Sequence, residues 1–218
     1  MEPKDIRFYN PYELVDKTLN RLPHWHQIGR TYFITFHLAD SVPAVLRAQW
    51  KKERVIWLSY HPEPWTTEVQ AEYHRRFSAK MDAWLDAGHG SCLLKQPGCR
   101  AFVEATLKHD DGACYTHHAW VVMPNHVHVL ASLIGETHLK TNIQSWKGVS
   151  VHGINKYLNR RGHLWQEDYF DRLIRDGEHF ANCVRYIRRN PVKANLREGS
   201  YTHYETDLAR TFAPLDPP

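Results

Sequence analysis

Long apolar runs are missing from this 218-residue chain, and with them any stretch that reads as a membrane span. Cysteine is scarce. Cys92, Cys99, Cys114 and Cys183 are too few and too irregularly spaced for a Cys-x-x-Cys zinc site or a disulfide framework, so they read as free thiols. The opening residues Met1-Glu2-Pro3-Lys4-Asp5 lack the basic end and apolar centre of a signal peptide, which sets the expectation of a cytoplasmic protein without membrane contact. A strong net charge is lacking too, at +4. What charge there is lies unevenly: between residues 147 and 197 eleven Lys and Arg stand against five acids. That concentration points to a polyanionic partner, although solvated helix faces produce similar counts. The length and the 42% hydrophobic content suit one domain with a full core.

Along the chain, residues 1–30 read as an arm, with His24-Trp25-His26 as a loop beside Pro23. Thr31 to Leu38 is rich in β-branched and aromatic residues and reads as a first strand. Ser41 and Pro43 signal a helix over Ala44 to Leu58, and Thr66 or Thr67 caps a second in which Val69, Tyr73, Phe77, Met81 and Trp84 recur at helical spacing. This helical hairpin spans residues 41–90, and its aromatic stripe reads as packing. A helix after Pro97 is followed by strands Tyr115 to Val122 and His126 to Leu133, a helix over Lys140 to Asn159, and a short strand at Asp171 to Ile174. A last helix is capped by Asp176 and ended at Asn190 by Pro191. Setting the hairpin aside, the core at 31–38 and 97–196 is α+β. Its order suits a ferredoxin-like βαββαβ antiparallel sheet with an added C-terminal helix and a tail at 197–218.

The chemistry concentrates at two places. In Met123-Pro124-Asn125-His126-Val127-His128, strand alternation sends both imidazoles to one face while Val127 and Val129 enter the core, the outline of a two-imidazole metal clamp. In Tyr186-Ile187-Arg188-Arg189-Asn190-Pro191-Val192, the phenol and the amide stand four apart on one helix face. A phenol needs a polarised electrophile or a proton acceptor to act as a nucleophile near neutrality. Tyr157 and Tyr169 lack an amide four residues later.

These words resemble the His-hydrophobe-His and tyrosine motifs of HUH single-tyrosine transposases, in the branch called REP-associated tyrosine transposases, with Trp165, Gln166, Tyr169 and Asp171 matching the approach to the last helix. The resemblance implies a metal-dependent nuclease and strand transferase for single-stranded DNA with hairpin structure. Tyr186 would be the nucleophile forming a 5′-phosphotyrosine link, with His126, His128 and Asn190 as ligands of Mg²⁺ or Mn²⁺. Lys147, Arg185, Arg188, Arg189 and Lys193 are candidate phosphate contacts, and Trp165 or Trp146 a base-stacking surface. The resemblance leaves monomer and homodimer both open. A catalytically silent nucleic-acid-binding protein on the same fold, and a metal hydrolase using water, are the competing readings.

Overall fold

The computed structural model describes residues 6–19, 23–62 and 65–215. The chain first makes an antiparallel ribbon from Asp16–Leu19 (β1) and Pro23–His26 (β2), with Asp16 opposite His26. His24-Trp25-His26 is therefore a strand and not the expected loop. Among the described residues its strand partner is β1 alone, so it carries none of the apolar alternation that marks a strand of the main sheet.

The main sheet is five-stranded and antiparallel in the order β6-β3-β5-β4-β7, built from Thr31–His37 (β3), Tyr115–Val122 (β4), His126–Leu133 (β5), Phe170–Leu173 (β6) and Thr202–Glu205 (β7). Alternation sorts its faces. Tyr32, Ile34 and Phe36 of β3 and Val127, Val129 and Ala131 of β5 enter one core, under helices Pro97–His109 (α4) and Leu139–Tyr157 (α5). Phe33, Ala119, Val121 and Leu130 enter the other, under Gly177–Lys193 (α6) and Asp207–Phe212 (α7). A bulge between His117 and Ala119 shifts β4 by one residue, which keeps Tyr115 and His117 on the same face as Trp120 and Val122 despite the change of parity. The expected mixed architecture with an antiparallel sheet holds, with β7 from the carboxy-terminal stretch as an added edge.

Between β3 and α4 the chain forms a helical arm from Ala44–Tyr60 (α1), Thr67–Tyr73 (α2) and Ala79–Asp86 (α3), with a π-helical turn over His74–Ser78 joining the last two. Trp50, Trp57, Phe77, Met81 and Leu85 make its own small core, so the aromatic stripe packs as expected. Thr66 caps α2, but Ser41 does not cap α1. It is buried and gives its hydroxyl to the Leu38 carbonyl at 2.7 Å, leaving Pro43 at the helix start.

Helix α6 begins as expected, with Asp176 accepting from the His179 amide at 2.7 Å. It does not end at Asn190. Pro191 sits inside the last turn, where its missing N–H costs one backbone bond, and the turn still closes through Ala194 N to Asn190 O at 3.0 Å and Leu196 N to Pro191 O at 2.9 Å. Asn190 therefore stays helical, one turn beyond Tyr186 on the same face. Among the described residues no helix is long and apolar enough to cross a membrane.

Candidate active site

His126 and His128 leave β5 on the face covered by α6, and both are buried. Each ring is held by its Nδ1. For His126 the acceptor is Asn125 Oδ1 at 2.8 Å, and since an amide oxygen only accepts, the ring carries its proton on Nδ1 and leaves Nε2 as a bare lone pair. Asn125 is itself oriented by donating from Nδ2 to the Leu85 and His89 carbonyls, at 3.1 and 3.4 Å, where the helical arm ends. For His128 the partner is Thr35 Oγ1 on the neighbouring strand, at 2.7 Å. The rings lie 4.7 Å apart, edge to face. Burial above all drives the proton affinity of both down, His126 to about 3 and His128 well below its ordinary value, so both are neutral at physiological pH.

Tyr186 and Asn190 meet this pair from α6. Asn190 Nδ2 is 3.3 Å from His128 Nε2, and the amide is near enough to His126 to act on its proton affinity. The Tyr186 ring lies 5.1 Å from that of His128 and 5.6 Å from that of Phe33, edge-on to both. Three polar atoms here are buried without a hydrogen-bond partner among the described residues: His126 Nε2, Asn190 Oδ1 and the Tyr186 hydroxyl. Burial first, then the carboxylates of Asp82 and Asp86 on α3, push the Tyr186 phenol well above its ordinary pKa, so it keeps its proton. Asp82 and Asp86 come from the arm, and nothing local in their sequence marks them as neighbours of a tyrosine a hundred residues on.

His126 Nε2, His128 Nε2 and the Asn190 amide come together here, with His126 Nε2 and Asn190 Oδ1 lacking partners among the described residues; turned so that its oxygen instead of Nδ2 meets the imidazoles, the amide would complete a donor set that fits a hard divalent cation. Among the described residues no three His, Cys, Asp or Glu side chains converge for a metal, so a cation held by the two imidazoles would need the amide as a third donor.

The expected DNA contacts are for the most part engaged inside the protein. Lys147 Nζ donates to the carbonyls of Gln166, Glu167 and Asp168 at 3.0–3.1 Å, and burial lowers its pKa to about 8. Trp165 is buried against Phe36 and donates to Ser150 Oγ at 3.0 Å. Trp146 is buried as well. Arg188 forks onto Glu205 at 2.5 and 3.1 Å, Lys193 pairs with Asp86 at 2.8 Å, Arg185 bonds Asn182 at 2.8 Å, and Arg189 is exposed. What the sequence did not disclose is a cavity of about 690 Å³ between the ribbon, the helical arm, β6 and α6, which Tyr186 lines along with Asp82 and Arg172.

Comparison with known proteins bears on residues 101–190, which match the family described as "Transposase IS200 like". A putative REP-associated tyrosine transposase of Haemophilus influenzae is 28% identical over 109 residues, covering 44% of this chain and 62% of the relative. A REP-associated tyrosine transposase of Escherichia coli is 26% identical over 103 residues, covering 45% and 59%. The chain thus spans about three fifths of the length of these curated relatives. A solved structure of a REP-associated tyrosine transposase bound to a REP hairpin superposes with a TM-score of 0.46 at 17% identity, over 83% of this chain and 77% of that one.

Proposed function

From a chain related to the REP-associated tyrosine transposases, with an IS200-like transposase segment at residues 101–190, we propose a nuclease and strand transferase for single-stranded, hairpin-bearing DNA. The observation that carries this reading is the meeting, within one chain, of the Tyr186 ring and the buried His126, His128 and Asn190 set, with unpartnered donor atoms between them. We read β3, α4, β4, β5, α5 and β6 as a ferredoxin-like unit that presents the imidazoles, with α6 as the addition that presents the phenol.

In this reading Tyr186 Oη attacks a phosphorus of the DNA backbone. The bond to the 3′ oxygen breaks, that oxygen leaves as a hydroxyl, and the 5′ side stays on the enzyme as a phosphotyrosine. Attack by a later 3′-hydroxyl reverses the step and rejoins DNA without an external energy source. His126, His128 and Asn190 would hold Mg²⁺ or Mn²⁺, which when bound supplies positive charge to a phosphate oxygen. Burial raises the Tyr186 pKa above that of a free phenol, so its phenolate is scarce near neutrality and positive charge at the phosphate would assist its attack.

The test is incubation of the protein with a labelled single-stranded hairpin and Mn²⁺, followed by denaturing electrophoresis. A covalent adduct is expected with the natural chain and none with Tyr186→Phe, whose DNA binding persists. Clean cleavage without an adduct would point to water as nucleophile, and a mobility shift with no cleavage to a binding protein.

A further inference from the structure

Arg172 stands on β6, the outermost strand at one end of the sheet, directly opposite Phe33 of β3. Directly paired residues share a face, so its side chain leaves the sheet on the side of Phe33, the residue against which Tyr186 packs. There it lines the same cavity as Tyr186. It is half-buried, and among the described residues its guanidinium makes no hydrogen bond and no ion pair. None of its nitrogens is buried without a partner, so its five N–H donors stay open to the solvent of the cavity and to a ligand that enters it.

The other arginines of the cavity are committed. Arg54 Nε donates to the Tyr73 hydroxyl at 2.6 Å, and Arg175 Nη1 donates to Gln70 Oε1 at 2.7 Å. Asp82 feels the Arg172 charge without forming an ion pair with it, and Asp171 is occupied by His24. Arg172 is thus the arginine of the cavity without a hydrogen-bond or ion-pair partner among the described residues, and burial first, then its charge, lowers the pKa of His74 and of His179 to about 4. Aromatic side chains, Trp65 and Tyr73 from the arm and Trp25 from the ribbon, complete a wall around a volume of about 690 Å³, within the roughly 300–1,000 Å³ of small-ligand pockets and ample for one nucleotide.

We infer that Arg172 is a phosphate-binding residue, holding the DNA backbone beside the position that Tyr186 attacks while the aromatic wall takes an unstacked base. The inference rests on the reading of Tyr186 as the nucleophile. It adds a polyanion site to which the arm and the ribbon contribute, outside the imidazole and amide set. A guanidinium suits the task because its fork binds two phosphate oxygens at once, and stacking on aromatic rings accepts any base.

The experiment is a fluorescence-anisotropy titration of a labelled ten-residue oligothymidylate with the full chain at several salt concentrations, run beside the adduct assay. Arg172→Gln is expected to weaken binding about tenfold and to flatten the log–log salt dependence by about 0.7, the contribution of one phosphate on a single strand. Arg172→Lys should restore the slope and part of the affinity. Trp65→Ala should weaken binding without changing the slope, which keeps the site testable if Arg172→Gln fails to fold. Unchanged affinity and slope in Arg172→Gln, or no oligonucleotide binding by the natural chain, would overturn the phosphate site. Loss of binding in Arg172→Gln with no adduct from any DNA would instead leave the site standing and remove the nucleophile reading.

Discussion

A single amide decides which nitrogen of His126 is available. Asn125 is fixed by two carbonyls at the end of the helical arm, its oxygen then takes the Nδ1 proton of His126, and Nε2 is left as a lone pair facing Asn190 and His128. Asn125→Ala should free the ring to change tautomer and tilt, and loss of such an orienting partner costs about 10- to 100-fold in metal affinity. Calorimetric titration with Mn²⁺ measures this, and unchanged affinity would mean that the orientation of His126 does not depend on Asn125. Glu205 is the corresponding case for structure. It receives both arms of the Arg188 fork and is only 9% exposed. Glu205→Ala leaves that guanidinium with the Ala213 and Pro214 carbonyls alone, and should destabilise the fold by about 3 kcal/mol in a urea melt.

Among the elements, the ribbon is latched to the edge strand by His24, which lies between two carboxylates. It meets Asp168 at 2.9 Å through Nε2 and Asp171 through Nδ1, and its ring stacks on Tyr169. Burial alone would lower its pKa, but the two carboxylates outweigh it and raise it to about 9. A raised folded-state value means that the latch stabilises fully below the ordinary imidazole value near 6.5 and is lost as pH climbs through about 9. The difference in unfolding free energy between the natural chain and His24→Gln should therefore be greatest below pH 6.5, at about 1–3 kcal/mol, because burial raising Asp171 takes part of the gain back. It should vanish above pH 9, and a difference that grows with pH would exclude a protonated His24. Helix α6 shows the same dependence of function on local detail: only because it runs through Pro191 does Asn190 keep helical geometry beneath Tyr186.

Across the whole molecule, the sheet has its own apolar core and the helical arm a second, smaller one, and the arm and the ribbon together wall the cavity at Tyr186. Deleting β7 and α7 by truncation after Leu196 should uncover β4 as a bare edge and expose the apolar face of α6, giving a lower melting temperature and aggregation visible by light scattering. Strands β4 and β5 were legible to the residue, because period-two alternation and a Pro-Asn turn are local signals, and so was the Asp176 cap of α6. Alternation also suffices to put His126 and His128 on one face, and helical pitch to put Tyr186 above Asn190. The β1–β2 ribbon, the bulge in β4, the π-helical turn and the strand within residues 197–218 carried no such signal, since each exists by virtue of a distant partner. For the same reason charge in the sequence did not say which cations were free: Lys147 and Arg188 are consumed by carbonyls and a carboxylate far along the chain, while Arg172, which lines the cavity, has no hydrogen-bond or ion-pair partner among the described residues. Local periodicity thus determined the elements and the chemical groups they carry. Only the tertiary structure decided which of those groups meet, because pairing a charge or orienting an imidazole depends on neighbours that folding brings from elsewhere.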